Sequence, residues 1–110
     1  MSNIGILISS IEKRINENKR TLDISLCELA KRISKFRDRN KERVFDIIDY
    51  YYEKNPPKYK IINATLPYMG EYYKDDQVEL DLKNLPKDLV LILYELSIFL
   101  EETKKERNIF

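Results

Sequence analysis

Histidine is absent from this 110-residue chain, and cysteine appears once, at Cys27. Without histidine the chain lacks the commonest general acid/base, the commonest metal ligand and a member of most nucleophilic triads. A single cysteine excludes an internal disulfide and any cysteine-based zinc cluster. Cys27 falls in a helical pattern beside Leu26 and Leu29, where a free thiol is expected to behave as a small buried hydrophobe, and such cysteine usage fits a reducing, intracellular setting. Glycine occurs only at Gly5 and Gly70, which leaves no phosphate-cradling glycine-rich loop. The opening MSNIGILISSIEKR has too short an apolar run to span a membrane, and no basic stretch precedes that run as in a secretory signal. Acidic residues are plentiful but scattered among Lys and Arg, with no pair that burial forces to share a proton. These absences predict a non-catalytic protein with no cofactor, no metal and no membrane partner.

Excess charge of either sign is also missing. Twenty Lys plus Arg face nineteen Asp plus Glu, a net charge of +1, so no bulk field draws the molecule onto nucleic acid or an anionic membrane. A chain of this length is expected to form a single domain, residues 1–110.

What is present is mostly helical patterning. Ile4, Ile8, Ile11 and Ile15 recur at steps of four, three and four, a seam within a first helix that packs on the domain's own core or on a second subunit. Ser25 with Glu28 forms a capping box that opens a second helix, lined by Leu26, Leu29, Ile33 and Phe36 and fading around residues 38–40. Asn40 is expected to cap a third helix, with Val44, Ile47, Ile48 and Tyr51 on one face. Tyr50, Tyr51 and Tyr52 lie about 100° apart around it, so at least one is expected to be exposed. Pro56 and Pro57 stop that helix. Pro86 suits the first turn of a last helix with a broad stripe of Leu89, Ile92, Leu93, Leu96 and Leu100, widened by Ile98 and Phe99.

Between the third and last helices the pattern changes period. In DDQVELDL, residues 75–82, Val78, Leu80 and Leu82 alternate with Glu79 and Asp81, as in a strand with one aliphatic and one acidic face. KYKIIN, residues 58–63, is a second extended candidate in which Lys58 and Lys60 alternate with Tyr59 and Ile61. The fold class expected is a mostly α, small bundle of about four helices with one short β-strand or β-hairpin before the C-terminal helix.

The order LCELAKRI, RVFDII, QVELDL, LPKDLVLILYEL resembles the extra-terminal domain of the bromodomain and extra-terminal (BET) proteins. DQVELDLKNLPKDLVLILYEL, residues 76–96, carries most of the likeness, and RVFDII, residues 43–48, adds a second match. The resemblance covers about residues 25–100. It leaves residues 1–22 as an additional N-terminal helix and residues 56–74 as an insertion in a core of residues 25–105. It implies binding of a peptide in which Lys or Arg alternates with aliphatic residues, added as a strand along Gln77, Val78, Glu79, Leu80, Asp81 and Leu82. Val78 and Leu80 stand at the family's strand aliphatics and Glu79 at its acid, whereas Gln77 stands where a second acid is usual. Asp75 and Asp76 are placed to compensate. The resemblance further implies a nuclear role in transcription or chromatin regulation.

Physical reasoning reaches a similar place, because an unpaired strand edge demands a cover or a use, and strand addition supplies one. Aliphatic side chains of the added strand are expected to enter a groove between the third and last helices, with Val44, Ile47, Ile48 and Leu93 completing the candidate site. Three occupants are open: a partner peptide, a second copy of the chain in a homo-oligomer, or Lys58, Tyr59, Lys60 and Ile61 of the same chain. Two rival readings remain. One is a nucleic-acid binder using Lys31, Arg32, Lys35, Arg39 and Arg43, disfavoured by interrupting acids and near-neutral charge. The other is an assembly protein held by the isoleucine seam.

Overall fold

The structure, a computed structural model, describes residues 3–55, 71–72, 78–79 and 81–108. Within them helices α1 (Asn3–Asn18), α2 (Leu26–Ser34), α3 (Asp38–Lys54) and α4 (Lys87–Asn108) make a helical bundle. Helix α4 is its centre. From Leu89 to Ser97 each residue is buried apart from half-buried Leu91, and α1, α2 and α3 all pack against this helix. A helix with apolar residues on nearly every side must be enclosed by its neighbours, and in the run LVLILYELS only Leu91 keeps partial exposure. Leu89, Ile92, Leu93 and Leu96 of the expected stripe are buried, Leu100 is half-buried, and Phe99 is exposed.

The isoleucine seam of α1 joins this same core. Ile8 and Ile11 are buried, and Ile4 and Ile15 pack against the cluster as half-buried neighbours. Gly5 lets α1 approach α3 closely, since a Cβ built there would lie 2.9 Å from the Tyr50 hydroxyl. Helix α1 ends in a Schellman turn, with Lys19 N–H donating to Asn16 O and Arg20 N–H to Ile15 O. Lys19 takes φ 48° to make it, a left-handed conformation usually left to glycine. The reversal brings Arg20 back toward the bundle.

Helix α2 begins as its capping box requires, the Ser25 hydroxyl accepting from Glu28 N–H at 3.1 Å. Cys27 corrects an expectation: it is exposed. Sequence neighbours on a helix do not share a face, and Cys27 lies about 200° around from Leu29, the buried residue. The helix also ends earlier than residues 38–40, because Lys35 and Phe36 N–H groups close its last turn onto Arg32 O and Ile33 O. Arg37 is then extended and serves as the N-cap of α3, its carbonyl accepting from Asn40 and Lys41. Asn40 therefore sits inside the first turn and does not cap it. Further along, Val44, Ile47 and Ile48 are buried, whereas Tyr50, Tyr51 and Tyr52 are all half-buried, none of them fully exposed. Tyrosine tolerates this because it can cover apolar surface with its ring and keep its hydroxyl wet. At the helix end both the backbone N–H and the side-chain Nδ2 of Asn55 donate to Tyr51 O.

Glu71–Tyr72 (β1) and Val78–Glu79 (β2) pair antiparallel, with Glu71 opposite Glu79 and Tyr72 opposite Val78. A strand running from residue 77 to 82 is not shown. Its C-terminal end is overturned by Asp81, whose carboxylate accepts from Lys83 N–H at 3.0 Å and starts a 3-10 turn over Leu82–Asn84. That turn packs on α2, and Leu85 is buried behind it. Pro86 stands just ahead of α4, its carbonyl accepting from Val90 N–H, where a missing N–H costs nothing. Among the described residues no helix is long and apolar enough to cross a membrane.

Candidate functional site

The residues expected to form one peptide site fall into three groups. Val78 and Glu79 lie in β2, while Gln77, Leu80 and the alternative pairing strand Lys58, Tyr59, Lys60 and Ile61 lie outside the described residues. Asp81 is exposed but holds the 3-10 turn, and Leu82 is half-buried against the core. Val44, Ile47, Ile48 and Leu93 are at most 7 % exposed. They belong to the same buried cluster as Ile8 and Ile11 of α1, a helix that packs on both α3 and α4. The isoleucine seam thus shares its buried cluster with the residues expected to line the groove.

The basic run is dispersed across α2, the following turn and α3. Lys31, Lys35, Arg39 and Arg43 are exposed, whereas Arg32 is half-buried with its guanidinium 5.9 Å from the centre of the Tyr94 ring and 4.0 Å from Glu28. Arg32 is thus engaged in holding α2 to α4.

Two features were not anticipated from the sequence. The first is Glu95, 0 % exposed in the middle of α4. Its two oxygens are shared between α1 and the turn after it: Arg14 Nε donates to Oε1 at 3.2 Å and Arg20 Nε to Oε2 at 2.7 Å. Arg14 also reaches Glu102 at 3.1 Å and lies 5.1 Å above the Phe99 ring. The hydrogen bond to Glu95 raises the Arg20 pKa above its ordinary value against the opposing effect of burial. A buried carboxylate held by two half-exposed guanidinium groups fixes the N-terminal helix to the central one. A signal existed in the sequence, since Glu95 interrupts an otherwise apolar run, VLILYELSIFL, that a central helix must bury.

The second feature is an open cavity of about 420 Å³ where α1, α3 and the start of α4 meet. Ile8, Ile15, Leu91 and Ile92 supply its apolar lining, and Tyr50 and Tyr51 its aromatic one. Glu12 and Asn16 of α1, Asp88 of α4, and Lys54 with Asn55 complete the rim. Burial, then the charges of Asp88 and Glu12, push the Tyr51 phenol above its ordinary pKa. Lys54 Nζ lies 5.6 Å from the centre of the Tyr50 ring. Among the described residues no group of Asp, Glu or Cys is placed to hold a metal ion.

No family model, curated protein or solved structure matches the chain.

Proposed function

We propose that the chain is a non-catalytic protein-interaction module that takes up an extended segment rich in alternating basic and aliphatic residues as a strand beside residues 77–82. The reading follows the resemblance to an extra-terminal domain, and with it a setting in transcription or chromatin regulation. One observation supports it above the others. The backbone of Val78–Glu79 is already extended and paired on one side with Glu71–Tyr72, in a sheet of two strands. In a two-stranded sheet each strand keeps an outer edge, and no described strand occupies that of β2. Such an edge is a template for an incoming chain.

Energetics assign the roles. An exposed ion pair contributes only ~0.2–1 kcal/mol, so Glu79 selects the partner's sign of charge while ladder hydrogen bonds and apolar burial supply affinity. Val44, Ile47, Ile48 and Leu93 are buried in one cluster with Ile8 and Ile11 of α1, so the aliphatic residues of the partner settle on the surface beside β2.

The test is a backbone NMR titration of the full chain with a peptide alternating Lys and Ile. Saturable shifts centred on Val78 and Glu79, weakened several-fold by Glu79→Lys, are expected. Shifts confined to the helices, or an equal response from a peptide alternating Glu and Ile, would overturn the assignment.

A further inference from the structure

The cavity among α1, α3 and α4 is composed like a receptor for an organic cation. Ile8, Ile15, Leu91 and Ile92 give it an apolar lining for an aliphatic stem, and a volume of about 420 Å³ is in the range of organic-ligand sites and well above that of a single ion. Two carboxylates stand on its rim, Glu12 from α1 and Asp88 from α4. Both are exposed, and neither lies within ion-pair distance of a cation among the described residues. Asp88 also sits in the first turn of α4, where it complements the helix dipole without losing its access to solvent.

Among the described residues Lys54 is the cation of the lining, and it is informative. Its ammonium is drawn toward the face of Tyr50, a ring that lines the cavity, instead of pairing with either carboxylate. An aromatic surface in the cavity therefore already attracts an ammonium group, as ring faces do. Burial first, and then the charges of Asp88 and Glu12, raise the pKa of the Tyr51 phenol. Among the described residues the lining carries two carboxylates against one lysine, a balance that a second cation on an apolar stem completes.

We propose that this cavity receives a lysine side chain from a polypeptide partner, its methylenes on Ile15 and Leu91 and its ammonium between Glu12 and Asp88. The site is distinct from the β2 edge, so each can fail without the other. Lys54 competes for the same field, and its removal strengthens binding.

The probe is N-acetyl-lysine-N-methylamide, titrated into the full chain and followed by amide shifts at residues 12–16, 50–55 and 88–92. Its Nζ-acetylated analogue serves as the neutral control, and free butylammonium separates a bare amine from a peptide-borne lysine. Saturable shifts in that patch are expected from the lysine derivative and not from the acetylated one. The double variant Glu12→Gln/Asp88→Asn should weaken binding by about fivefold or more, from the loss of two exposed ion pairs. Lys54→Gln should tighten it. Folding of each variant is checked by its far-UV circular dichroism and by retained dispersion of the α2 amides. Equal shifts from the acetylated analogue, undiminished affinity in the double variant, or tighter binding of butylammonium than of the lysine derivative would each overturn the proposal. Response of Val78 and Glu79 to the Lys/Ile peptide should be unaltered in the double variant.

Discussion

At Glu95 the chain places a carboxylate where solvent cannot reach it, and the consequences of removing it or its partners are unequal. Arg14 and Arg20 have side chains 32 % and 26 % exposed, whereas that of Glu95 is 0 % exposed. If Glu95 becomes leucine, both guanidinium groups can turn to water and the leucine joins an apolar helix, so the loss should stay below about 1.5 kcal/mol. If instead Arg14 and Arg20 both become methionine, the carboxylate is left buried and unpaired, at about 3–5 kcal/mol. Urea denaturation of the two variants checks the order, and a larger loss for Glu95→Leu would contradict it. Tyr51 gives a second test at this scale. Its phenol ionises less readily in the folded chain than at its ordinary 10.0. The unfolded chain therefore releases that proton first, and the stabilisation, complete below pH 10.0, is lost as pH rises from there through the folded-state value. Tyr51→Phe should flatten the alkaline limb of stability against pH. An unchanged slope would show that the burial of Tyr51 has no such consequence.

Among elements, the end of α1 carries an avoidable cost. Lys19 adopts φ 48° to close the Schellman turn. A left-handed residue with a Cβ is penalised by roughly 1–2 kcal/mol, and part of the gain from glycine is lost to its freer unfolded state, so Lys19→Gly should stabilise by up to about 1 kcal/mol. A rise in melting temperature checks this, and a fall would mean that the lysine side chain contributes more than its backbone costs. The same element shows what the sequence made legible. Isoleucine spacing in α1, the Ser25–Glu28 box and the leucine stripe of α4 all identify their helices, because each is a local pattern with a local cause. What the pattern could not supply is which surfaces face each other. Ile8 and Val44 each read as apolar, and only the structure shows that they are buried in one cluster. Cys27 failed for a related reason, adjacency in sequence standing in for a shared face. Asp81 read as the acidic side of a strand, yet a short side chain two residues before a free N–H also caps a turn, and the alternation cannot tell the two apart.

For the whole molecule the question is whether α1 is an addition to a self-sufficient unit of residues 25–105 or part of its core. The resemblance ends near residue 25, but the packing does not. Helix α1 contributes Ile8 and Ile11 to the central cluster, each worth about 1.5–3 kcal/mol of burial, and brings Arg14 to Glu95. Set against the ~5–15 kcal/mol that a folded domain typically retains, losing these contacts removes a large share of stability. A chain starting at residue 23 also lacks Arg20, so Glu95 loses both of its partners. It should therefore melt far below the full chain or fail to melt cooperatively, and a peptide of residues 1–22 supplied in trans should restore part of the loss with a concentration-dependent melting temperature. Because Ile47, Ile48 and Leu93 are then uncovered, the shortened chain should also bind the Lys/Ile peptide over a wider surface than β2, with shifts extending to α3 and α4. Should the shortened chain melt as the full chain does, α1 is an appendage, and the space between α3 and α4 returns as the aliphatic half of the binding site.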